Sequence, residues 1–162
     1  MPGYSNGIPL DFGQAYRKAA DYCVIQDRCI SEIQLKFITW GIDRSFTTRI
    51  ISKLIEEGFL DEKRFAVNYA SGKFRINGWG RLKIAAGLRS RNIPASLVQL
   101  ALSTFKAEEY SSFLKTLLQK KLKQLGGETH LNRQKAAFFA ASRGFEQGLI
   151  AAQLRDIEIS DL

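Results

Sequence analysis

The chain has 162 residues, 45% of them hydrophobic, and a formal net charge of +8, a composition typical of one globular domain or a row of small units. Its apolar runs are much shorter than the roughly 20 residues that span a bilayer, so we expect no contact with a membrane. The start of the chain, MPGYSNGIPLDF, has no basic stretch followed by an apolar core. We therefore expect no secretory signal and a cytoplasmic protein.

Helical periodicity runs through most of the chain, and it predicts the first helix of three successive groups at residues 11–26, 61–76 and 108–124. Acidic residues stand near the start of each helix, where the helix dipole favours negative charge: Asp11, Asp61, Glu108 and Glu109. An alternating strand pattern of useful length is missing from the sequence. The fold class is therefore predicted to be all-α.

Two further helices follow in each group, and their sequences repeat. The segments IQLKFITWGIDRSFTTRIISKL, IAAGLRSRNIPASLVQLALSTF and AAFFAASRGFEQGLIAAQLRDI align on Gly41, Asn92 and Gly144, which are 51 and 52 residues apart. Glycine and asparagine tolerate the left-handed conformation that ends a helix. Each anchor residue is therefore predicted to form the tight turn of a helix-turn-helix pair.

Apolar residues match at fixed distances from these anchors, and we predict that they occupy equivalent core sites. The matching positions lie eight residues before, four residues before and five residues after the anchor: Ile33, Ile84 and Ala136; Phe37, Leu88 and Ala140; Phe46, Leu97 and Leu149. The predicted architecture is three tandem three-helix, helix-turn-helix-like repeats that form an elongated, curved array. The predicted repeats cover residues 11–60, 61–107 and 108–162, after an N-terminal tail at residues 1–10.

Positive charge is concentrated in the middle of the chain. Residues 1–72 hold nine basic and nine acidic residues, residues 73–143 hold fourteen and three, and residues 144–162 hold one and four. A solvated basic face is the simplest explanation, but solubility does not require one sign of charge to be confined in this way. The distribution favours a polyanion or an acidic protein surface as partner.

The sequence shows no recognisable catalytic or metal-binding set, so we predict that the chain is not an enzyme and needs no cofactor. His130 is the single histidine, for which a surface or capping role is favoured. Cys23 and Cys29 are poorly spaced for zinc, and two free thiols in a reducing cytosol are favoured over a disulfide. The stretch NGWGRLK lacks the preceding strand and third glycine of a dinucleotide-binding motif, and no phosphate-binding loop motif occurs.

The most informative stretch covers residues 60–94, LDEKRFAVNYASGKFRINGWGRLKIAAGLRSRNIP. It resembles the RecX family, whose most specific motif combines L-D-D-x-R-F-A-x-x-Y, a basic stretch, G-x-x-[RK]-[IL] and L-[RK]-x-[KR]-G-[IV]. Glu62 replaces the second aspartate, and Asn92 replaces the usual glycine. The resemblance extends over residues 11–156, and in the motif it rests on Leu60, Asp61, Arg64, Phe65, Ala66, Tyr69, Gly78, Arg81, Leu82, Leu88, Arg89, Arg91 and Ile93.

This resemblance implies three tandem three-helix units, in agreement with the repeat found above. It also implies a regulatory protein that binds filaments of the RecA recombinase on single-stranded DNA. Such proteins typically restrain RecA's ATP hydrolysis, strand exchange and the co-protease activity that triggers the SOS response. We expect a monomer whose partners are the RecA filament and single-stranded DNA, reached directly or through RecA. The resemblance does not determine whether this protein inhibits or stimulates RecA. It also does not determine whether the protein caps the filament or binds along its groove.

Two other functions are compatible with the basic middle of the chain. One is a sequence-nonspecific DNA-binding helical-repeat protein that acts without RecA, and the other is a helical adaptor for an acidic protein. In all of these functions the basic side chains bind a partner and do not take part in catalysis. The candidate contacts are Lys73, Arg75, Arg81, Lys83, Arg89, Arg91, Lys115, Lys120, Lys123, Arg133 and Lys135.

Overall fold

A computed structural model describes residues 4–5 and 8–157 and confirms the all-α prediction. A short antiparallel hairpin, β1 (Tyr4–Ser5) and β2 (Ile8–Pro9), lies within the predicted N-terminal tail. The rest of the tail and residues 158–162 lie outside the described residues. The helices of the described part are, in chain order, α1 (Phe12–Ile25), α2 (Ile30–Thr39), α3 (Arg44–Glu56), α4 (Glu62–Arg75), α5 (Arg81–Arg89), α6 (Ala95–Ser103), α7 (Ala107–Gln124), α8 (His130–Ser142) and α9 (Gln147–Asp156).

We refer to helices α1–α3, α4–α6 and α7–α9 as the first, second and third units. Local caps explain why two of the predicted first helices begin where they do. The Asp11 carboxylate accepts from the Gln14 amide in a capping box, and the Asp61 carboxylate accepts from the Arg64 amide at 3.0 Å. Helix α7 starts at Ala107, so the boundary proposed after residue 107 falls in its first turn.

The three anchor residues have the left-handed conformation predicted from the sequence. Their φ angles are 63° at Gly41, 57° at Asn92 and 92° at Gly144. In each unit, the amide after the anchor donates to the carbonyl five residues earlier: Ile42 to Phe37 (2.9 Å), Ile93 to Leu88 (3.2 Å) and Phe145 to Ala140 (3.2 Å). This is the hydrogen bond that closes a Schellman motif. The repeat therefore corresponds to one backbone geometry used three times.

The core predictions are confirmed on the second helix of each unit and are wrong in detail on the third helix. All six residues four and eight positions before the anchors are buried. Phe46, Leu97 and Leu149, five positions after them, are only half-buried at the edge of the cores. Val98 and Ile150, one residue later, are buried instead. Successive residues of a helix are about 100° apart around its axis. The buried faces of the third helices in the second and third units are therefore rotated by about 100° from the predicted faces.

Within the described residues, the buried side chains form two cores rather than one for each unit. The first unit has its own core around Ile33, Phe37 and Leu54, with Trp40 packed at its edge. The second and third units share a continuous core. At its centre, the Phe74 ring lies 4.8 Å from the Phe105 and Phe113 rings. The first unit is therefore a separately packed body, while the other two units are joined by apolar contacts.

Candidate docking surface and the joints that shape it

The joint between the first and second units is built largely from polar groups. The Asp27 carboxylate accepts from Arg64 Nε at 2.9 Å and from Asn68 Nδ2 at 2.7 Å. The Asn68 hydrogen bond is the main reason that the pKa of Asp27 lies below its usual value, and the Arg64 guanidinium adds to the effect. Cys29 also reaches across this joint and is fully buried in the core of the other two units.

A second set of bonds in this joint involves the turn of the second unit. Ser31 Oγ donates to the Arg91 carbonyl at 2.8 Å, and the Arg91 guanidinium forms an ion pair with Glu32 at 3.4 Å. The same guanidinium donates to the Gly87 carbonyl at 2.9 Å and lies 4.9 Å from the centre of the Tyr69 ring. Arg91 therefore holds two units together.

The joint between the second and third units brings two backbones into direct contact. The Gly80 amide donates to the Arg143 carbonyl at 2.8 Å, and the Leu82 amide donates to the Gly144 carbonyl at 3.0 Å. A Cβ atom on Gly80 would lie 2.4 Å from the Gly144 carbonyl carbon, and one on Gly144 would lie 2.3 Å from Lys83 Cβ. Only glycine fits at either position without a shift of the joint.

A buried tyrosine connects the charged groups of this second joint. Tyr110 Oη donates to Glu146 at 2.6 Å and accepts from the Arg81 amide at 3.0 Å. Burial, reinforced by Glu146, raises the pKa of Tyr110 far above its usual value, so the hydroxyl stays protonated. The Arg81 guanidinium stacks 3.9 Å from the centre of the tyrosine ring and forms an ion pair with Glu146 at 3.4 Å. The arginine is thus fixed between two units.

The two joints repeat the same relation between neighbouring units. The first amide of α2, at Ile30, donates to the Glu62 carboxylate at 3.1 Å, and the first amide of α5, at Arg81, donates to the Tyr110 hydroxyl. In both cases a side chain of the next unit satisfies a free amide at a helix start. Helix α8 instead uses Thr129, the residue before it, whose hydroxyl accepts from the Asn132 amide at 3.1 Å. The helix starts at the two joints are therefore satisfied in the same way.

Several predicted contact residues are engaged inside the protein. Besides Arg81 and Arg91, Arg75 forms an ion pair across the second joint with Glu109 at 3.2 Å. Arg133 forms an ion pair with Glu128 and donates to the Ile157 carbonyl at 3.2 Å, so it ties the start of α8 to the end of α9. These four arginines have structural partners that the sequence did not reveal.

The remaining predicted residues differ in exposure. The Nζ atoms of Lys73 and Lys83 lie 4.7 and 4.4 Å from the centre of the Trp79 ring, so the structure brings these two lysines together. Lys115 is half-buried. Arg89, Lys120, Lys123 and Lys135 are exposed, and Arg75 is exposed as well despite its ion pair.

Sequence reasoning missed a set of exposed apolar side chains on the second helices. Leu35 and Ile38 on α2 are exposed, as are Leu131 and Phe138 on α8. Leu35 and Phe138 stand at the same position relative to their anchors, six residues before Gly41 and Gly144. The repeat alignment could have identified this pair, because the apolar positions four and eight residues before each anchor already fill the core-facing side of the helix.

The described residues also bear on metal binding and membrane insertion. Residues 8–157 and the strand at residues 4–5 contain no group of three or more His, Cys, Asp or Glu side chains placed to hold a metal ion. No helix in that part of the chain is long and apolar enough to cross a membrane. Cys23 and Cys29 are both buried free cysteines.

The comparison with known families identifies the middle of the chain. Residues 61–102, from the N-cap of α4 into α6, match the second three-helix domain of RecX. A protein named "Regulatory protein RecX" from Xanthomonas axonopodis pv. citri (strain 306) is 27% identical over 143 residues, covering 88% of this chain and 87% of that protein. The chain is thus similar to RecX proteins in its middle domain and over most of its length.

Other RecX proteins match over most of their length. The "Regulatory protein RecX" of Stenotrophomonas maltophilia (strain K279a) is 24% identical over 131 residues, covering 80% of this chain and 78% of that protein. The crystal structure of RecX from Lactobacillus salivarius superposes with a TM-score of 0.82 at 20% identity, covering 90% of this chain and 95% of that one. A second crystal structure of a regulatory protein RecX gives a TM-score of 0.77 at 22% identity, with coverages of 90% and 74%. These likenesses show a RecX fold.

Proposed function

We propose that this chain binds RecA filaments on single-stranded DNA and restrains RecA's ATP hydrolysis, strand exchange and co-protease activity. The observation that carries the proposal is the match of residues 61–102 to the second RecX domain. That domain contains the motif from which the sequence resemblance to RecA modulators was drawn. In this proposal the protein acts as a cytoplasmic monomer in DNA repair and recombination, through docking rather than catalysis.

The repeated joints support this proposal physically. A row of similar units presents side chains at recurring intervals, as binding to a long, repetitive partner requires. The second and third units share a core, and Arg81, Tyr110 and Glu146 bond across their joint. Little conformational freedom is then lost when these two units dock, because their relative orientation is already fixed.

The distribution of free cations supports the same proposal. Arg89, Lys120, Lys123 and Lys135 are exposed, whereas Arg81, Arg91 and Arg133 have acidic partners within the protein. Exposed lysine and arginine side chains can meet acidic protein groups or DNA phosphates without breaking an internal ion pair. We therefore assign docking to the exposed group and joint stability to the paired arginines.

The decisive experiment is the ATPase rate of RecA on single-stranded DNA with and without this protein. We expect protein added below the RecA concentration to lower the rate, because one bound array would affect several filament subunits. A protein unfolded by heating and kept in solution serves as the control for nonspecific effects. An unchanged rate at equimolar, folded protein would rule out RecA inhibition by this member.

The exposed cations also favour a second candidate, a sequence-nonspecific DNA-binding protein that acts without RecA. The two functions differ in their dependence on the filament. Binding to a single-stranded oligonucleotide in the absence of RecA, combined with no effect on the RecA ATPase at saturating DNA, would support the second candidate. Inhibition that persists when all DNA is already coated by RecA would support the first.

A further inference from the structure

An apolar groove lies between α8 and α9 of the third unit. It has a volume of about 330 Å³ and is lined by Ala137, Phe138, Ala141, Gln147, Ile150, Ala151 and Leu154. The lining is formed mostly by alanine and larger aliphatic side chains, with Gln147 as its polar member. Grooves of this kind accept apolar side chains, because the small alanines leave room for an inserted group.

Phe138 forms the lip of this groove and is 78% exposed. On its other side lies a second depression of about 500 Å³, whose lining includes Leu131, Lys121 and Lys135. Exposed apolar surface at a groove, bordered by charged groups, is typical of a protein-binding site. Phe138 therefore connects an apolar groove to a depression with a basic edge.

Two lysines stand at the edge of this surface, and three acids of the third unit are already paired with arginines. Glu109 pairs with Arg75 and Glu146 pairs with Arg81, both across the second joint. Glu128 pairs with Arg133 inside the third unit. Lys135 is exposed, and Lys121 lies with its Nζ atom 4.7 Å from the centre of the Phe139 ring. An acidic partner is complementary to this edge.

The groove lining distinguishes between two kinds of acidic partner. A nucleobase inserted between α8 and α9 would bury its polar edges against alanine, isoleucine and leucine side chains, which offer few hydrogen bonds. An aliphatic or aromatic side chain of a protein has no such cost. The corresponding groove of the first unit is lined by Gln34, Arg44 and Thr47 among others and is more polar. The third unit is thus better suited to an apolar anchor.

We propose that the groove at Phe138 is the site where this chain docks to an acidic segment of its protein partner, which inserts an apolar side chain between α8 and α9. The proposal rests on the proposed function, in which that partner is RecA in its filament. In this proposal the contact with the protein partner is made by the apolar surface of the third unit. Contacts with DNA phosphates are made by other exposed arginine and lysine side chains. Phe138 covers the inserted side chain, and Lys121 and Lys135 face the acidic residues.

The test compares Phe138→Ala with Val24→Ala, which removes an apolar side chain that is 70% exposed on α1. Binding of fluorescently labelled protein to RecA filaments on single-stranded DNA is measured by anisotropy, together with inhibition of the ATPase. We expect Phe138→Ala to weaken binding roughly tenfold or more, from the loss of a ring buried on docking. Val24→Ala should bind like the wild type, and both variants should keep the wild-type melting temperature.

A charge reversal tests the basic edge independently. Lys135→Glu should weaken filament binding, whereas Lys63→Glu, an exposed lysine on α4, should do so much less. Wild-type affinity in Phe138→Ala would overturn the groove proposal and leave the proposed function intact. If the wild type itself fails to bind RecA filaments, both proposals fall. If Phe138→Ala instead loses affinity for an oligo(dT) strand alone and keeps its affinity for the filament, the groove is a nucleic-acid site and the proposal is wrong.

Discussion

Gly80 and Gly144 show how a single residue type sets the distance between two units. A methyl group on Gly80 would overlap the backbone of Gly144 and Phe145, which cannot move independently of the joint. Both glycines lie at a turn or a helix start, and Gly144 also needs its positive φ angle. The close backbone contact allows the amides of Gly80 and Leu82 to find acceptors in the next unit.

We predict that Gly80→Ala destabilises the protein by about 1–3 kcal/mol, the usual cost of overpacking a filled site. Urea denaturation followed by far-UV circular dichroism measures the change. Gly72→Ala is the matched control, because Gly72 lies inside α4 and a Cβ atom there has no neighbour within 4 Å. This control should be stabilised by roughly 0.5–1 kcal/mol through its better helix propensity. Equal stabilities for the two variants would contradict the proposed role of the contact.

Arg81 and Arg91 show where residue-level prediction from the sequence reached its limit. Both arginines lie in the basic RecX motif, and both were predicted to dock a partner. Their acidic partners, Glu146 and Glu32, are 65 and 59 residues away in the chain. No local pattern indicates such a pair, because the pairing depends on how the units stack. Asn92 was predictable, since its left-handed conformation is a local property of the turn.

At the level of helices, two of the three starts predicted from the sequence are capped by a local side chain. Asp11 and Asp61 cap α1 and α4 with their own side chains. The N-cap residues of α2 and α5 are Cys29 and Gly80. Within the described part of the chain, neither residue caps its helix with a side-chain hydrogen bond. Their first amides are satisfied by Glu62 and Tyr110 of the next unit. Each of these helix starts therefore depends on the presence of its neighbour.

The exposed cations of α5 and α7 give a prediction for DNA contact. The double variant Arg89→Ala/Lys120→Ala should bind RecA-coated or bare single strands more weakly. If both residues touch phosphates, the slope of log affinity against log salt should fall by roughly 0.7 for each lost contact. Titration of a labelled oligonucleotide at several salt concentrations measures this slope.

The control for this pair is Arg17→Ala/Lys63→Ala, which removes two exposed cations from α1 and α4. Its affinity and salt slope should change less than those of the α5–α7 variant. Both double variants should unfold at the wild-type urea concentration, because exposed charges contribute little to stability. Identical slopes in the two double variants would place the phosphate contacts on other residues.

At the scale of the whole molecule, the two joints differ in chemistry. The second joint lies over a continuous apolar core, whereas the first depends mainly on Asp27, Glu32, Glu62 and their donors. The repeat, and hence the order of the units, was predictable from local periodicity. The difference between the two joints was not predictable from the sequence. Cys29 and the central aromatic rings can be assigned to a core only when the stacking of the units is known.

We predict that acidification loosens the first joint before the helices unfold. The folded pKa of Asp27 lies below its unfolded value of about 3.9, so the stabilisation from this carboxylate is fully present above about pH 4. It is lost as the pH falls through the lower, folded value. The radius of gyration from X-ray scattering should therefore increase at low pH while far-UV circular dichroism still shows the helices.

Asp27→Asn isolates the contribution of this carboxylate. The variant should have a looser first joint already at pH 7, and its radius of gyration should depend less on pH than that of the wild type. Asp43→Asn is the matched control, since Asp43 caps α3 at the surface of the first unit and takes no part in the joint. A wild-type radius that stays constant until helicity is lost would show that Asp27 does not hold the units together.

The division into two cores has a spectroscopic consequence, because it separates the two tryptophans. Trp40 packs at the edge of the first core, 5.5 Å from the Tyr22 ring. Trp79 packs against the shared core, with the ammonium groups of Lys73 and Lys83 over its ring. Each separately packed body thus contains its own intrinsic fluorophore. Replacing Trp79 by phenylalanine leaves an emission signal that follows the first unit alone, and replacing Trp40 leaves one that follows the other two.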